Sequence, residues 1–150
     1  MKNLSIFFFF LFSIALNAQT LNPVRWEYSF EKTGKDEGII VLKAKLQEKW
    51  HIYSQNQSGD GPIPTSFVFN PDPHYKLIDK VQEPACEKVF SEVFESEVQM
   101  FSHEVSFQQK ISFTSKTNFL VQGELEYMSC NDVSCLPPRT EKFSIPVKIE

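Results

Sequence analysis

Apolar and polar residues alternate along most of the chain after residue 20, which is the pattern of half-buried β-strands. Gly, Pro, Asn and Asp residues separate the alternating segments, as turns between short strands require. Residues 50–53 (WHIY) add a short aromatic strand. The pattern predicts an all-β protein with the architecture of an antiparallel β-sandwich. The alternating positions are Val24, Trp26, Tyr28 and Phe30; Ile40, Leu42, Ala44 and Leu46; Phe67 and Phe69; Val105, Phe107, Ile111 and Phe113; Phe119, Val121, Leu125 and Tyr127; and Phe143, Ile145 and Val147.

Two segments depart from this simple alternation. The segment Glu83–Phe94 is the main helical candidate, and Pro84 limits it to a turn or two. The apolar alternation is interrupted between Phe107 and Ile111, which we interpret as a bulge within one strand. We therefore expect a short helix and a bulge at these two places.

Two loops separate strands in the middle of the chain. The first, Ser54–Pro64, is polar and rich in Gly and Pro. The second, Pro84–Glu97, mixes charged residues with the aromatic residues Phe90 and Phe94. Aromatic residues on a loop tip either cover a neighbouring feature or enter the core. The sequence leaves both alternatives open.

The first 18 residues have the pattern of a secretory signal peptide. Lys2 precedes the apolar run Ile6–Leu16, and the small residue Ala18 follows it. The run is too short to span a bilayer core of about 30 Å. We expect residues 1–18 to be removed and residues 19–150 to form a single exported domain, periplasmic or secreted, where disulfides can form. An uncleaved membrane anchor is the alternative.

Composition and charge restrict the partners of this domain. The chain of 150 residues is 41% hydrophobic and 23% charged, as expected of a globular protein rather than a disordered one. Its net charge of −4 argues against nucleic acids and anionic membranes, because both attract cationic surfaces. The sequence has no Gly-rich loop that would cradle a phosphate, and we expect no cofactor.

Cys130 and Cys135 are the strongest candidates for reactive residues in the sequence. Four residues separate them in YMSCNDVSCLPPR, and the central Asn-Asp favours a turn that would bring the two sulfurs close. A disulfide across so short a loop stabilises a fold by only about 2 kcal/mol. This small gain favours thiol–disulfide exchange, although spacing alone leaves a structural disulfide open. Cys86 lies in an acidic segment and is interpreted as a bystander.

Other site chemistries find little support in the sequence. Structural zinc usually needs four closely spaced ligands, whereas His51, His74 and His103 are scattered, so we expect no metal site. The sequence gives no reason to pair a histidine with Cys130 or Cys135, as the mechanism of a cysteine hydrolase would require. Glu95 and Glu97 are interpreted as a solvated strand face rather than a glycosidase pair.

Three segments together resemble the N-terminal periplasmic domain of the thiol:disulfide interchange protein DsbD, also called the disulfide bond corrector domain. LEYMSCNDVSCLPP resembles the family's strand, cysteine pair and double proline. WHIYSQN is similar to its aromatic strand and polar turn, and VFESEVQMF to its cap loop and following strand. The resemblance covers about residues 24–148.

The resemblance implies an immunoglobulin-like antiparallel sandwich with an inserted cap loop, and a thiol-disulfide electron relay without an organic cofactor. The relay would take electrons from a membrane-linked donor, expected on a separate chain, and pass them to oxidised thioredoxin-like periplasmic proteins. We expect a monomer. The alternative is a non-redox immunoglobulin-like binding or structural module in which the same disulfide is only structural.

The resemblance also implies roles for individual residues. Cys135 would be the interchange nucleophile that forms mixed disulfides with partners, and Cys130 would be the resolving thiol. Phe94 would be the cap aromatic that shields the pair until a partner docks, and Glu92 falls near the family's acidic cap position.

Some positions depart from the family pattern. His51 and Tyr53 fall where the family places aromatics beside the cysteines, but the family has Tyr in place of His51. Val93 stands where the family has a second acidic residue. The family has five residues between the cysteines, whereas this chain has four.

Overall fold

The structure is a computed structural model that describes residues 21–57 and 61–149. These residues form eleven β-strands, and all strand pairs are antiparallel. The predicted signal peptide lies outside the described residues. Within those residues, no helix is long and apolar enough to cross a bilayer. The strands are β1 (Val24–Lys32), β2 (Glu37–Leu46), β3 (His51–Tyr53), β4 (Ser66–Phe69), β5 (Tyr75–Gln82), β6 (Glu87–Ser91), β7 (Ser96–Ser102), β8 (Glu104–Phe113), β9 (Phe119–Tyr127), β10 (Ser129–Cys130) and β11 (Arg139–Val147).

The strands form three sheets, with the orders β1-β2-β8-β5, β10-β3-β7-β6 and β11-β9-β4. The first and third sheets pack face to face through aromatic side chains. The ring of Trp26 lies 5.6 Å from that of Tyr127, and the ring of Tyr28 lies 5.8 Å from that of Phe143. Ile52 joins the same buried core from β3. The predicted antiparallel β-sandwich is confirmed.

The predicted helical turns in Glu83–Phe94 are wrong, because most of this segment belongs to a β-hairpin. Residues 87–91 form β6, which pairs along its whole length with β7. Val89 is half-buried whereas Phe90 is exposed, as the two-residue period of a strand requires. An isolated helix of one or two turns is marginal, whereas pairing with β7 satisfies the backbone hydrogen bonds of β6. We call β6, β7 and the turn of residues 92–95 the cap hairpin.

The bulge predicted between Phe107 and Ile111 is also wrong. Strand β8 runs without interruption, and Gln109 occupies the buried position between those residues. The Gln109 side-chain amide donates a hydrogen bond of 2.9 Å to the carbonyl of Ile78, so its polar group is satisfied in the core. The register irregularity lies in the neighbouring strand β5, between Ile78 and Gln82.

Candidate functional site

A disulfide bond joins Cys130 and Cys135 at the edge of the sheet β10-β3-β7-β6. The two Cα atoms are 4.0 Å apart, and the residues also form an antiparallel backbone bridge. Cys130 belongs to β10, which pairs with β3, so that Cys130 lies directly opposite His51. The sheet therefore fixes one cysteine, and the turn positions the other.

The turn between the cysteines is held by hydrogen bonds as well as by the sulfurs. The Asn131 amide donates to the carbonyl of Ser134 at 2.9 Å. The Asn131 side-chain oxygen accepts from the amides of Val133 at 2.9 Å and Ser134 at 2.8 Å, which is an Asx-type turn. The Leu136 amide donates to the carbonyl of Ser129 at 2.9 Å and closes the base of the turn. These bonds support the turn independently of the disulfide.

The two cysteines differ in their exposure to solvent. Cys130 is 1% exposed and belongs to a buried cluster with Tyr53 and Val98. Cys135 is only half-buried and packs against that cluster from outside. An attacking thiolate must approach a sulfur directly, so Cys135 is the more accessible of the two.

A cleft of about 280 Å³ lies beside the disulfide. Part of its lining comes from the cysteines and the turn residues Asn131 and Asp132. Another part comes from the cap hairpin and includes Phe90 and Glu92. A partner group would therefore reach the disulfide through a partly covered cleft. Its remaining lining includes His51, Tyr53, Val89, Val93 and Met100.

The two aromatic residues of the cap hairpin have different environments. Phe94 is half-buried and packs against the cluster that contains Cys130. Its ring stands edge-on to that of Tyr53, with 6.0 Å between the ring centres. Phe90 is 70% exposed at the rim of the cleft. Phe94 therefore packs against the cluster of Cys130, and neither Phe94 nor Phe90 enters the main core.

His51 and Tyr53 form a hydrogen-bonded pair at the base of the cleft. Their side chains point to the same face of β3, and His51 Nε2 lies 3.1 Å from the Tyr53 hydroxyl oxygen. Burial raises the pKa of Tyr53 to about 12, so the phenol stays protonated at neutral pH. Burial also lowers the pKa of His51, against the opposing effects of Asp132 and Glu87. The pair is therefore uncharged at neutral pH.

Comparison with known families identifies the architecture. A family model described as "Thiol:disulfide interchange protein DsbD, N-terminal" matches residues 18–146. The chain belongs to this family. A search of curated proteins gave no match.

Solved structures agree with the assignment to the DsbD N-terminal family. The N-terminal periplasmic domain of ScsB from Proteus mirabilis has a TM-score of 0.61 at 15% identity, over 86% of this chain and 47% of that chain. This chain thus spans about half the length of the ScsB chain. The reduced DsbD N-terminal domain of Neisseria meningitidis has a TM-score of 0.52 at 14% identity, over 80% of this chain and 83% of that chain.

A third similar structure comes from a complex. A chain of the complex between the DsbD N-terminal and PilB N-terminal domains of Neisseria meningitidis has a TM-score of 0.53 at 16% identity. The match covers 87% of this chain and 91% of that chain. At these identities the likeness shows the fold, and it confirms the immunoglobulin-like sandwich predicted from the resemblance to the DsbD family.

The polar loop after β3 is anchored by Glu83. The Glu83 carboxylate accepts hydrogen bonds from the Gln55 amide at 2.9 Å, from the Asn56 side chain at 2.8 Å and from the Ser54 hydroxyl. Three loop groups therefore share one anchor directly after β3 ends. This anchoring fixes the direction of the chain as it leaves the cleft.

Cys86 lies where the cap hairpin meets the same loop. It is half-buried, and its thiol donates a hydrogen bond of 3.2 Å to the Gln99 side-chain oxygen. The Gln99 side-chain amide in turn donates to the carbonyl of Asn56 at 2.8 Å. Cys86 packs beside the main core rather than the disulfide cluster, and its interpretation as a bystander stays a prediction.

The other histidines lie at other places in the fold. His74 stacks on Phe119 with 5.7 Å between ring centres and contacts Asp72, and His103 is an exposed residue between β7 and β8. Within residues 21–57 and 61–149, no cluster of His, Cys, Asp and Glu side chains could hold a metal ion. Among the three histidines, only His51 lines the cleft.

Sequence reasoning overlooked several residues of the cleft. Val89, Val98 and Met100 come from the cap hairpin, whose strand pairing was not predicted. The alternation of Val98 and Met100 in SEVQMFS is the signal that could have placed these residues on one face of a strand. Asn131 was recognised only as a turn former, whereas its side chain holds the turn.

Proposed function

We propose that this chain is an exported thiol:disulfide interchange domain that relays reducing equivalents through Cys130 and Cys135 to oxidised thioredoxin-like proteins of the periplasm. The observation that carries this proposal is the position of the disulfide. It spans a turn that other bonds already hold, and it forms one wall of a cleft. A disulfide across so short a loop contributes only about 2 kcal/mol to stability, so exchange is its better-supported role.

The relay transfers two electrons in two exchange steps. In the reduced domain, the Cys135 thiolate attacks a disulfide sulfur of the partner and forms a mixed disulfide, and the partner's other sulfur leaves as a thiolate. The Cys130 thiolate then attacks the Cys135 sulfur and closes the 130–135 disulfide. The partner leaves with both sulfurs reduced. The accessible position of Cys135 and the buried position of Cys130 support this division of roles.

Apolar side chains around the cleft support docking of a folded partner. Phe90 is 70%, Val93 55% and Val133 87% exposed. Val133 stands in the turn between the cysteines, and the other two stand in the cap hairpin. Such a rim would give a small apolar contact around the reacting sulfur, as transient redox encounters need.

The known relatives support the same kind of partnership. A DsbD N-terminal domain of Neisseria meningitidis forms a complex with the PilB N-terminal domain, and the ScsB domain of Proteus mirabilis is periplasmic. We propose that this chain likewise acts in the periplasm and docks a second folded domain over Cys135. A membrane-linked protein would supply its electrons through the reverse exchange.

A trapping experiment tests this proposal. The mature domain with Cys130→Ala is reduced and mixed with an oxidised thioredoxin-like domain. The partner keeps only its exposed active-site cysteine, carried as a mixed disulfide with a small aromatic thiol, so that attack by Cys135 releases this thiol and no second cysteine can reverse the bond. We expect a mixed disulfide through Cys135 to accumulate to near one adduct per molecule, because neither domain keeps a resolving thiol. Mass spectrometry of the unreduced mixture measures the adduct and locates the linked cysteine.

The matched control for trapping is Cys86→Ala in the same background. Cys86 lies outside the disulfide cluster, so its loss should leave the yield of adduct unchanged. Absence of an adduct through Cys135, together with an unsubstituted disulfide that resists a strong dithiol, would contradict the relay and favour a purely structural bond.

The proposed shielding by the cap leads to a further prediction. Phe94→Ala should increase the rate at which a small dithiol reduces the 130–135 disulfide by roughly tenfold, because access to the sulfur limits such reactions. The Phe94 ring packs against the cluster that contains Cys130, and its removal would uncover that cluster. Stopped-flow measurement of the second-order rate constant checks the expectation.

Phe90→Ala is the matched control for Phe94→Ala. It removes the same side chain from the same hairpin, but Phe90 is 70% exposed. We expect its reduction rate to change by less than about twofold, since it covers little buried surface. Equal rates for the two variants would show that Phe94 does not shield the disulfide.

A further inference from the structure

His51 occupies the position on β3 that faces Cys130. The two residues are direct partners in the antiparallel pairing of β3 and β10. Residues directly opposite one another have Cβ atoms about 4.5–5.5 Å apart and side chains on the same face of the sheet. Both residues also line the same cleft. The fold therefore makes the imidazole the direct cross-strand neighbour of Cys130, on the same face of the sheet.

Tyr53 restricts the orientation of that imidazole. Its hydroxyl lies 3.1 Å from His51 Nε2, and the two rings stand edge-on with 5.3 Å between their centres. Tyr53 itself is only 1% exposed and belongs to the same buried cluster as Cys130. A buried, hydrogen-bonded tyrosine is a fixed neighbour, so Tyr53 holds His51 on the face of the sheet that it shares with Cys130.

We propose that His51 exchanges a proton with the Cys130 thiol during thiol–disulfide interchange. This inference rests on the proposed function, and it assigns His51 as the proton acceptor and donor for the resolving cysteine. Cys130 needs such a group because it is 1% exposed, which limits direct proton exchange with water.

In a reduced domain that delivers electrons, the proton of the Cys130 thiol passes to a ring nitrogen of His51, and the Cys130 sulfur attacks the Cys135 sulfur. The 130–135 disulfide forms, the bond between Cys135 and the partner breaks, and the partner's sulfur leaves as a thiolate with the electron pair. When the domain accepts electrons, His51 takes up a proton from solvent and passes it to the departing Cys130 thiolate.

The groups around His51 set the pH range of this step. Asp132 from the turn and Glu87 from β6 act to raise the pKa of His51, but burial has the larger effect and lowers it. Glu92 faces the same cleft from the cap hairpin, and Tyr53 stays a neutral phenol. Because the pKa of His51 is lowered overall, the ring is neutral at pH 7 and can accept a proton. Attack by Cys130 should therefore weaken only as pH falls through the lowered pKa of His51.

A two-phase reaction with a chromogenic aromatic disulfide tests the proposal. The reduced domain carries Cys86→Ser, so that only the cysteine pair reacts. Attack by Cys135 releases a first coloured thiolate, and attack by Cys130 on the resulting mixed disulfide releases a second. In His51→Phe we expect the second phase at pH 7 to slow by about tenfold, while the first changes by less than about twofold.

The pH profile separates proton exchange from a structural effect. With His51 present, the second-phase rate should change little between about pH 6 and pH 8, whereas in His51→Phe it should rise steadily with pH. His103→Asn is the control, because His103 is exposed and has φ 64°, which Asn tolerates. We expect this control to keep the original profile. An unchanged second-phase profile in His51→Phe would overturn the proposal.

A measurement on the chain without a His51 substitution covers the case in which His51→Phe does not fold. The titration of the His51 ring is followed by NMR in the oxidised and reduced domain. Reduction should move the midpoint of His51, because its neighbour becomes a thiol. Equal His51 midpoints in both forms would contradict the inference. Failure of the proposed function has another signature, since no adduct through Cys135 would then form in the trapping experiment.

Discussion

Replacing Cys135 with Ala is expected to reduce electron transfer to an oxidised thioredoxin-like domain by roughly a thousandfold or more, because exchange requires an accessible thiolate. The remaining thiol of Cys130 is 1% exposed and lies in the cluster with Tyr53 and Val98. A partner's disulfide cannot reach it while the cap hairpin stays in place. Single-turnover reduction of the partner, followed by its change in fluorescence, measures the loss.

Cys130→Ala gives a contrasting kinetic result. The first exchange step should keep a rate within about threefold of the original protein, because Cys135 still attacks. The reaction should then stop at the mixed disulfide. Thermal unfolding of both reduced variants verifies that each is folded. If Cys135→Ala retained the first step and Cys130→Ala lost it, the assigned roles of the two cysteines would be reversed.

Replacing Gly123 with Ala is expected to lower the free energy of unfolding by about 3 kcal/mol, the upper range for overpacking a core. Gly123 lies at the centre of β9, between Phe69 of β4 and Phe143 of β11. Their rings pack across it with 5.3 Å between ring centres. A Cβ at Gly123 would collide with the Val68 carbonyl oxygen and lie 2.5 Å from a ring carbon of Phe143. Because one obstacle is backbone, the sheet itself must shift.

Gly34→Ala is the matched control, measured by urea unfolding alongside Gly123→Ala. A Cβ at Gly34 would lie 3.7 Å from the Cβ of Glu37, which is an ordinary contact. We expect a change of less than about 0.5 kcal/mol, or a small gain from the restricted unfolded chain. A loss below about 1 kcal/mol for Gly123→Ala would mean that the two phenylalanine rings and the strand relax more easily than the packing indicates.

The strands that sequence reasoning found are those with one buried face. In β9, every second residue from Phe119 to Tyr127 is buried, so the alternation is unbroken. Strand β5 was overlooked because most of its side chains are exposed, and β10 because it has only two residues. The bulge was misplaced because buried Gln109 reads as polar in the sequence, although the Ile78 carbonyl accepts its hydrogen bond.

The candidate site was predictable to the extent that it is local. Cys130 and Cys135 are close in sequence, and the turn between them follows from Asn131 and its neighbours. The resemblance to the DsbD family pointed to Phe94 as a cap aromatic, and the structure places it against the cluster of Cys130. The hairpin that carries Phe94 was not predicted, since its strands are stabilised mainly by pairing with each other and with β3.

The sequence by itself determined which side chains face inward, because side-chain direction along a strand alternates with a local period of two. It also determined the cysteine pair, whose short connection needs no distant contact. Only the tertiary structure decided that Cys130 is buried while Cys135 is accessible, and that His51 stands opposite Cys130. These properties depend on the register between strands that are far apart in the chain, and that register is set by packing of the whole sandwich.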